Sequence, residues 1–353
     1  MKFDFTEEHE ALRALIAEVC ERESDPRGCY DGQSVIDTQL WAALREAGVL
    51  GVGVSEDCEG SGGGPVEQVM IAEGLGAAVG AIPFSEHVAA AEAISLFASD
   101  DQRKRLLVPL IHGESVAGIA LPTAANLAAV QATPDSARWR LTGHLPLIPN
   151  AAAATTLVIP AQIGDEVRWF VTDAAHRTSL PTVDRTRAAA RVDLEGTDAE
   201  LLSGAPPNER PAELLLTLAA AEAVGCAATA LNTTARYTTE RHQFGLPIGT
   251  FQAVKHRLAD MLVAVENARS AVYGAAWALA ETSSAARSVS VAQAVATGNA
   301  VEVAGGAVQL HGGIGVTWEC DLHLYLRRAK ALEATYGSPA MHRRRIAESL
   351  LDG

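Results

Sequence analysis

Between Arg210 and Gly337 the sequence carries four long alanine-rich stretches, separated by short links containing glycine, proline or serine. They read RPAELLLTLAAAEAVGCAATALNTTARYTTER, FQAVKHRLADMLVAVENARSAVYGAAWALAE, SVSVAQAVATGNAVEVAGGAVQLHGG and DLHLYLRRAKALEATYG. Alanine costs least to hold in a helix, and its small side chain lets helix axes approach closely. In the second stretch Leu258, Met261, Leu262, Val265, Ala268 and Val272 recur at helical spacing and predict one apolar stripe. A chain with this ending is expected to close as a four-helix bundle over residues 208–353.

The N-terminal part reads as helical as well. Thr6 precedes an acidic first turn, with Leu12, Leu15, Ile16 and Val19 forming a stripe behind it. VIDTQLWAALREAG, PVEQVMIAEGLGAAVG and SDDQRKRLLVPLIHGE predict further helices, so residues 1–115 are expected to form a helical domain. The texture changes over residues 116–207. WRLTGH, EVRWFVTD and RVDLEG read as strands, with Val167, Trp169 and Val171 alternating against Arg168, Phe170 and Thr172. The expected fold class is therefore α+β and mainly α: a helical domain, a small middle β domain, then the bundle.

Charge and composition exclude several functions. The formal net charge of −15 opposes a general nucleic-acid or anionic-membrane surface. Arg343–Arg345 is the local exception, either a solvated helix face or a binding patch. The cysteines form no CxxC pair and the histidines no HExxH pair, so neither a disulfide framework nor a metal site is indicated. The uncharged run Leu141–Gly164 contains Pro146, Pro149 and Pro160 and reads as short strands rather than a membrane helix. The acidic, amphipathic N-terminus is unlike a signal peptide, and a cytoplasmic location is expected. GLGAAVG, Gly74–Gly80, imitates a dinucleotide fingerprint but follows helical sequence, so its glycines are expected to pack helices. Gly60–Gly64 lacks the ending of a phosphate loop and is expected to be a flexible connector.

Two strings carry chemistry: ERHQFGLPIGTFQAVKHRLADM, Glu240–Met261, and AVQLHGGIGVTWECDLHLYLRRAKALE, Ala307–Glu333. Arg241 ends a helix, where a guanidinium can fork onto a pyrophosphate or make a surface salt bridge. Phe244 offers an aromatic face, and Gly245 and Pro247 fix a tight corner. Gln309 supplies an amide that donates and accepts. Gly312 and Gly313 lack Cβ atoms, which suits either a helix cap or close approach of a cofactor.

Together and in this order, the two strings resemble the C-terminal domain of acyl-CoA dehydrogenases, and the expected domain order extends the resemblance to nearly the whole chain. The resemblance implies that Arg241, Phe244, Gln252, Gln309, Gly312 and Gly313 grip the adenine and pyrophosphate end of an FAD whose flavin end sits mainly in a neighbouring subunit. It also implies a reaction in which a carboxylate takes the α-proton of an acyl-CoA thioester while the β-hydride passes to the flavin.

Against that family two features are missing. Where a Glu-Gly-Thr string usually carries the base, this chain has Tyr336-Gly337-Ser338. A phenol with a pKa of about 10 is ionised in only roughly one molecule in 10³ at pH 7. The alternative base position, on an earlier helix, falls on Leu215 and Leu216. Glu222 and Glu333 lie near these positions but out of register. In the β domain LPTAANLAAVQ, Leu121–Gln131, lacks the family's Thr-Glu-x-x-x-Gly-Ser-Asp flavin cradle, and PLIPNAAAATTLV replaces an aromatic-rich flavin-facing strand. The resemblance thus points to the non-catalytic subunit of bacterial heterotetrameric, steroid side-chain type acyl-CoA dehydrogenases. Its partner, a paralogous subunit in an α2β2 assembly, would carry the catalytic glutamate, and an electron-transfer flavoprotein or similar acceptor would take the electrons. Two alternatives stay open: a self-sufficient enzyme using Glu222, Glu333 or another base, and a flavin-free scaffold of the same fold.

Overall fold

The computed structural model describes the chain apart from residues 1–4, 122, 124, 125, 127, 128, 137, 206, 207, 283, 352 and 353. The helices in chain order are α1 (Glu7–Glu23), α2 (Pro26–Tyr30), α3 (Thr38–Glu46), α4 (Pro65–Ala77), α5 (Phe84–Phe97), α6 (Asp100–Ile111), α7 (Arg210–Glu240), α8 (Gln252–Glu281), α9 (Ala286–His311), α10 (Leu322–Thr335) and α11 (Pro339–Leu351). They and the strands gather into two compact units. One comprises Met1–Arg22, Val69–Gly80 and Leu216–Gly353; the other comprises Glu23–Gln68 and Ala81–Leu215.

In the first unit α1 begins with a reciprocal cap. The Thr6 hydroxyl accepts the His9 N–H at 3.3 Å, and His9 Nδ1 accepts the Thr6 N–H at 3.0 Å. Ile16, Val19 and Cys20 are buried, but Leu15, expected among them, is exposed: one residue back from Ile16, it turns off the stripe. The same correction applies to α8. Met261, Val265, Ala268 and Val272 are buried, whereas Leu262 shares the outward shoulder with Val263.

Gly74 and Gly76 of this run pack helices, as expected, while Gly80 lies beyond the end of α4. A Cβ on Gly74 would meet Ile16, and one on Gly76 would collide with the backbone carbonyl of Glu222. Helix α7 has length and apolarity enough to cross a membrane, yet 83% of its most apolar window is buried inside the protein, which is the pattern of a core helix. A fifth C-terminal helix, α11, was not among the four expected. Ser338 caps it by accepting the Met341 N–H at 3.3 Å, Pro339 opens it, and Arg343–Arg345 form its solvated face.

The second unit holds a sheet of β1 (Ala117–Ile119), β2 (Val130–Asp135), β3 (Arg138–Ile148), β4 (Thr156–Ile163), β5 (Glu166–Thr172), β6 (His176–Ser179) and β7 (Ala190–Leu201). The order is β1-β4-β2-β3-β7-β5, and β4 also pairs with β5, so the path closes into a ring with β6 added beside β7. Leu141, Leu145, Leu157, Phe170, Val192 and Leu194 fill it. Pro146 is accommodated by a register shift against β7 between Leu145 and Ile148, which removes the need for its absent N–H.

The alternation read in β5 does not survive as a buried and an exposed face. Trp169 stacks on Phe97 of α5 at 6.2 Å, while Phe170 meets Trp139 inside the ring at 5.7 Å, so both faces are covered. Gly60–Gly64 is likewise no loose connector. Ser61 and Gly62 donate to Gly51 and Val54 at 2.9 and 3.0 Å, Gly53 donates to Gly62 at 2.7 Å, and a Cβ at Gly60 would strike the Val54 carbonyl.

Candidate functional site

The groups singled out in the sequence cluster at the ends of α7, α8 and α9, all in the first unit. Arg241 follows the last residue of α7. Its N–H donates to Tyr237 at 2.9 Å and its carbonyl accepts from Ile248 at 2.7 Å, which fixes the backbone while the side chain stays exposed. A cation is also favoured at this negative end of the helix dipole. Among the described residues nothing pairs with its guanidinium.

The chain then turns back through a two-residue hairpin, β8 (His242–Gln243) against β9 (Leu246–Pro247). The turn residues Phe244 and Gly245 both have positive φ, 55° and 81°, the geometry whose twist suits a tight hairpin. A positive φ is uncommon for an aromatic residue. It leaves the Phe244 ring 93% exposed, touching Phe251 edge-on at 6.1 Å. Gln252 opens α8 and is exposed.

Gln309 lies on the last turn of α9 and lines an open groove of about 570 Å³ with Ala253, Val254 and Arg257 of α8 and Glu302 and Gly306 of α9. The groove thus joins Gln309 to the helix that begins at Gln252. Arg257 bonds Glu302 at 3.3 Å, and its guanidinium passes against Gly306. The sequence reading missed this pair, because the two residues lie on different helices and Glu302 sits outside both strings. Gly312 ends α9 with φ 64° and ψ −138°, and a Cβ on Gly312 or Gly313 would meet nothing within 4 Å. An unpaired guanidinium, exposed amides, a bare aromatic face and an open glycine corner can together take an anionic diester joined to a flat heteroaromatic ring.

The positions aligned with the family base look different. Tyr336 is 5% exposed and caps the C-terminus of α10, with its N–H on Leu332 at 3.3 Å and its carbonyl bonded by His342 Nε2 at 3.0 Å. Gly337 has φ 102°, and Ser338 and Pro339 start α11, so the segment works as a helix stop and restart. Leu215 is buried and Leu216 half-buried. Glu222 is buried and faces Arg328 Nη1 at 3.4 Å; Glu333 pairs with Lys330 along its own helix at 3.2 Å. The stretch Leu121–Gln131 lies partly outside the described residues.

Residues 6–114 match the acyl-CoA dehydrogenase N-terminal domain and residues 217–351 its C-terminal domain. Acyl-CoA dehydrogenase IpdE2 of Mycobacterium tuberculosis (strain ATCC 25618 / H37Rv) is 31% identical over 348 residues, covering 96% of each chain. The chain belongs to the acyl-CoA dehydrogenase family. The α+β, mainly α fold class expected from sequence is the fold of this family. A chain from the ChsE4-ChsE5 complex of Mycobacterium tuberculosis superposes with a TM-score of 0.91 at 29% identity, covering 100% of both chains. A variant of the Tcur3481-Tcur3483 steroid ACAD gives 0.89 at 28% identity, covering 98% of both. Acyl-CoA dehydrogenases are FAD-dependent oxidoreductases acting on the CH–CH bond of an acyl-CoA.

Proposed function

We propose that this chain is the FAD-completing, non-catalytic subunit of a heteromeric acyl-CoA dehydrogenase, and that a paralogous subunit supplies the base and the flavin cradle. The observation that carries the reading is the contrast between its two halves of a site. The phosphate-facing groups are exposed and uncommitted, whereas the segment aligned with the family base is spent on a helix stop, a glycine turn and a helix cap.

The residues fit a flavin dinucleotide. Arg241 brings a fork for the pyrophosphate, Gly312 and Gly313 leave open the space a Cβ would fill, Gln252 and Gln309 offer amides, and Phe244 offers a ring face. FAD, when bound, supplies the acceptor for the hydride equivalent lost from the thioester. This chain's part is to hold and orient that group and to keep the pyrophosphate charge neutralised. Proton removal from the substrate α-carbon falls to the partner's carboxylate. The exposed apolar residues Phe244, Leu262, Val263, Val316 and Trp318, all in the unit that bears the grip, suit a surface covered by that partner. The similarity to a steroid ACAD supports a steroid-derived acyl-CoA as substrate.

The test is co-expression with a paralogous acyl-CoA dehydrogenase subunit that carries the missing glutamate. A yellow complex that oxidises an acyl-CoA is expected, and Arg241→Ala should weaken FAD retention by about tenfold to a hundredfold, the worth of a charge-assisted hydrogen bond. Unchanged flavin content in that variant would remove the pyrophosphate assignment.

A further inference from the structure

Arg241 and the Gly312–Gly313 corner stand on the ends of two different helices, and a ligand gripped at both tolerates only about 0.5 Å of drift between them. We propose that Tyr237 and His311 are positioning residues that set this spacing, an inference that rests on reading those groups as the dinucleotide grip. Tyr237 lies one turn before Arg241 and accepts its N–H at 2.9 Å. His311 is the last residue of α9, immediately before Gly312. Their rings stack with centroids 4.0 Å apart and planes 17° from parallel. The Tyr237 hydroxyl also donates to the His311 carbonyl at 3.4 Å, so ring and backbone of the pair are tied at once.

The histidine ring is itself held from behind. It is buried, and its Nδ1–H donates to the Ala307 carbonyl at 2.9 Å, one turn back in α9. Gly315 closes the other side: a Cβ there would lie 3.0 Å from His311 Cβ and 2.6 Å from the Val308 carbonyl oxygen. His311 is therefore fixed to α9 on one side and to α7 through Tyr237 on the other. The stack is a rigid strut between the residue before the glycine corner and the turn that carries the arginine. Neither ring needs to touch the dinucleotide to control where its two anchors sit.

The test is a double-mutant cycle read as the dissociation constant of FAD, titrated into the apo form of the complex with the partner subunit. Tyr237→Ala and His311→Ala should each weaken binding about tenfold, and Tyr237→Phe, which keeps the ring, should stay within about threefold of the native complex. Adding Tyr237→Ala to Arg241→Ala should cost less than about threefold more, because the first acts through the second. If Tyr237→Ala does not fold, as judged by circular dichroism at the assay temperature, Tyr237→Leu fills the space without a stacking ring and carries the same expectation. Fully additive losses, or native affinity in the Tyr237 and His311 variants while Arg241→Ala is weakened, would overturn the positioning pair. Native affinity in Arg241→Ala would overturn the grip reading beneath it.

Discussion

Gly312 and Gly313 stand together in the sequence for different reasons. Gly312 adopts a left-handed φ of 64° that any other residue would pay to enter, whereas Gly313 has no such backbone demand and nothing within 4 Å of its missing Cβ. Gly312→Ala should therefore destabilise the unliganded protein by about 1–3 kcal/mol. Gly313→Ala should leave its melting temperature unchanged and still weaken FAD binding about tenfold, measured by calorimetry and flavin titration side by side. If Gly313→Ala leaves both unchanged, the second glycine is not there for a ligand. At this scale the candidate site residues could be named because they sit in two continuous strings. Arg257 with Glu302, and Tyr237 with His311, were not, because each pair exists only once separate helices meet. Leu15 and Leu262 misled for a related reason: an apolar residue on the shoulder of a stripe looks the same in sequence whether it faces inward or out.

The elements show how charge inside the protein is spent. Arg328 on α10 is fully buried. It faces Glu222 of α7 at 3.4 Å and donates through Nη2 to the carbonyls of Val79 and Gly80 at 3.3 and 3.1 Å. Val79 holds a φ of 50°, unusual for a β-branched residue, so the arginine also fastens a strained turn after α4. Glu222→Gln would strip a buried guanidinium of its counter-charge and should cost roughly 3–5 kcal/mol of stability. A general base at Glu222 would behave the other way, losing turnover with the melting temperature intact.

His87 of α5 gives the second unit a pH dependence. Its Nε2–H donates to Leu110 at 3.1 Å and its Nδ1 accepts the Ala117 N–H at 3.1 Å, so both nitrogens are satisfied only in the neutral ring. Burial lowers its pKa from 6.5 to about 4, against a smaller opposing effect of the Leu110 hydrogen bond. Between those values the unfolded chain binds a proton that the folded one refuses. Stability should therefore fall as pH drops through the window, by up to about 1.4 kcal/mol per pH unit. Urea midpoints at pH 7 and pH 5 check this: a His87→Gln variant should show a flatter difference, and an equal difference would exclude His87 as the cause.

Over the whole molecule, helix content, the middle strands and the order of the elements could be read from propensity and pattern, which are local properties. The closing of the sheet into a ring could not, since the β4–β5 pairing and the bulge at Pro146 depend on partners far along the chain. The restart at α11 was not legible because a Tyr-Gly-Ser-Pro run can equally lead a chain into a loop, and the Ser338 cap on the Met341 N–H forms only in the folded turn. That stop and restart supports the proposal that the segment aligned with the family base serves the helices and that a paralogous subunit supplies the proton acceptor. The most direct measurement is acyl-CoA oxidation by the purified single chain saturated with FAD, followed as reduction of an electron-accepting dye. No turnover is expected until the paralogous subunit is added; sustained turnover by this chain alone would contradict the assignment.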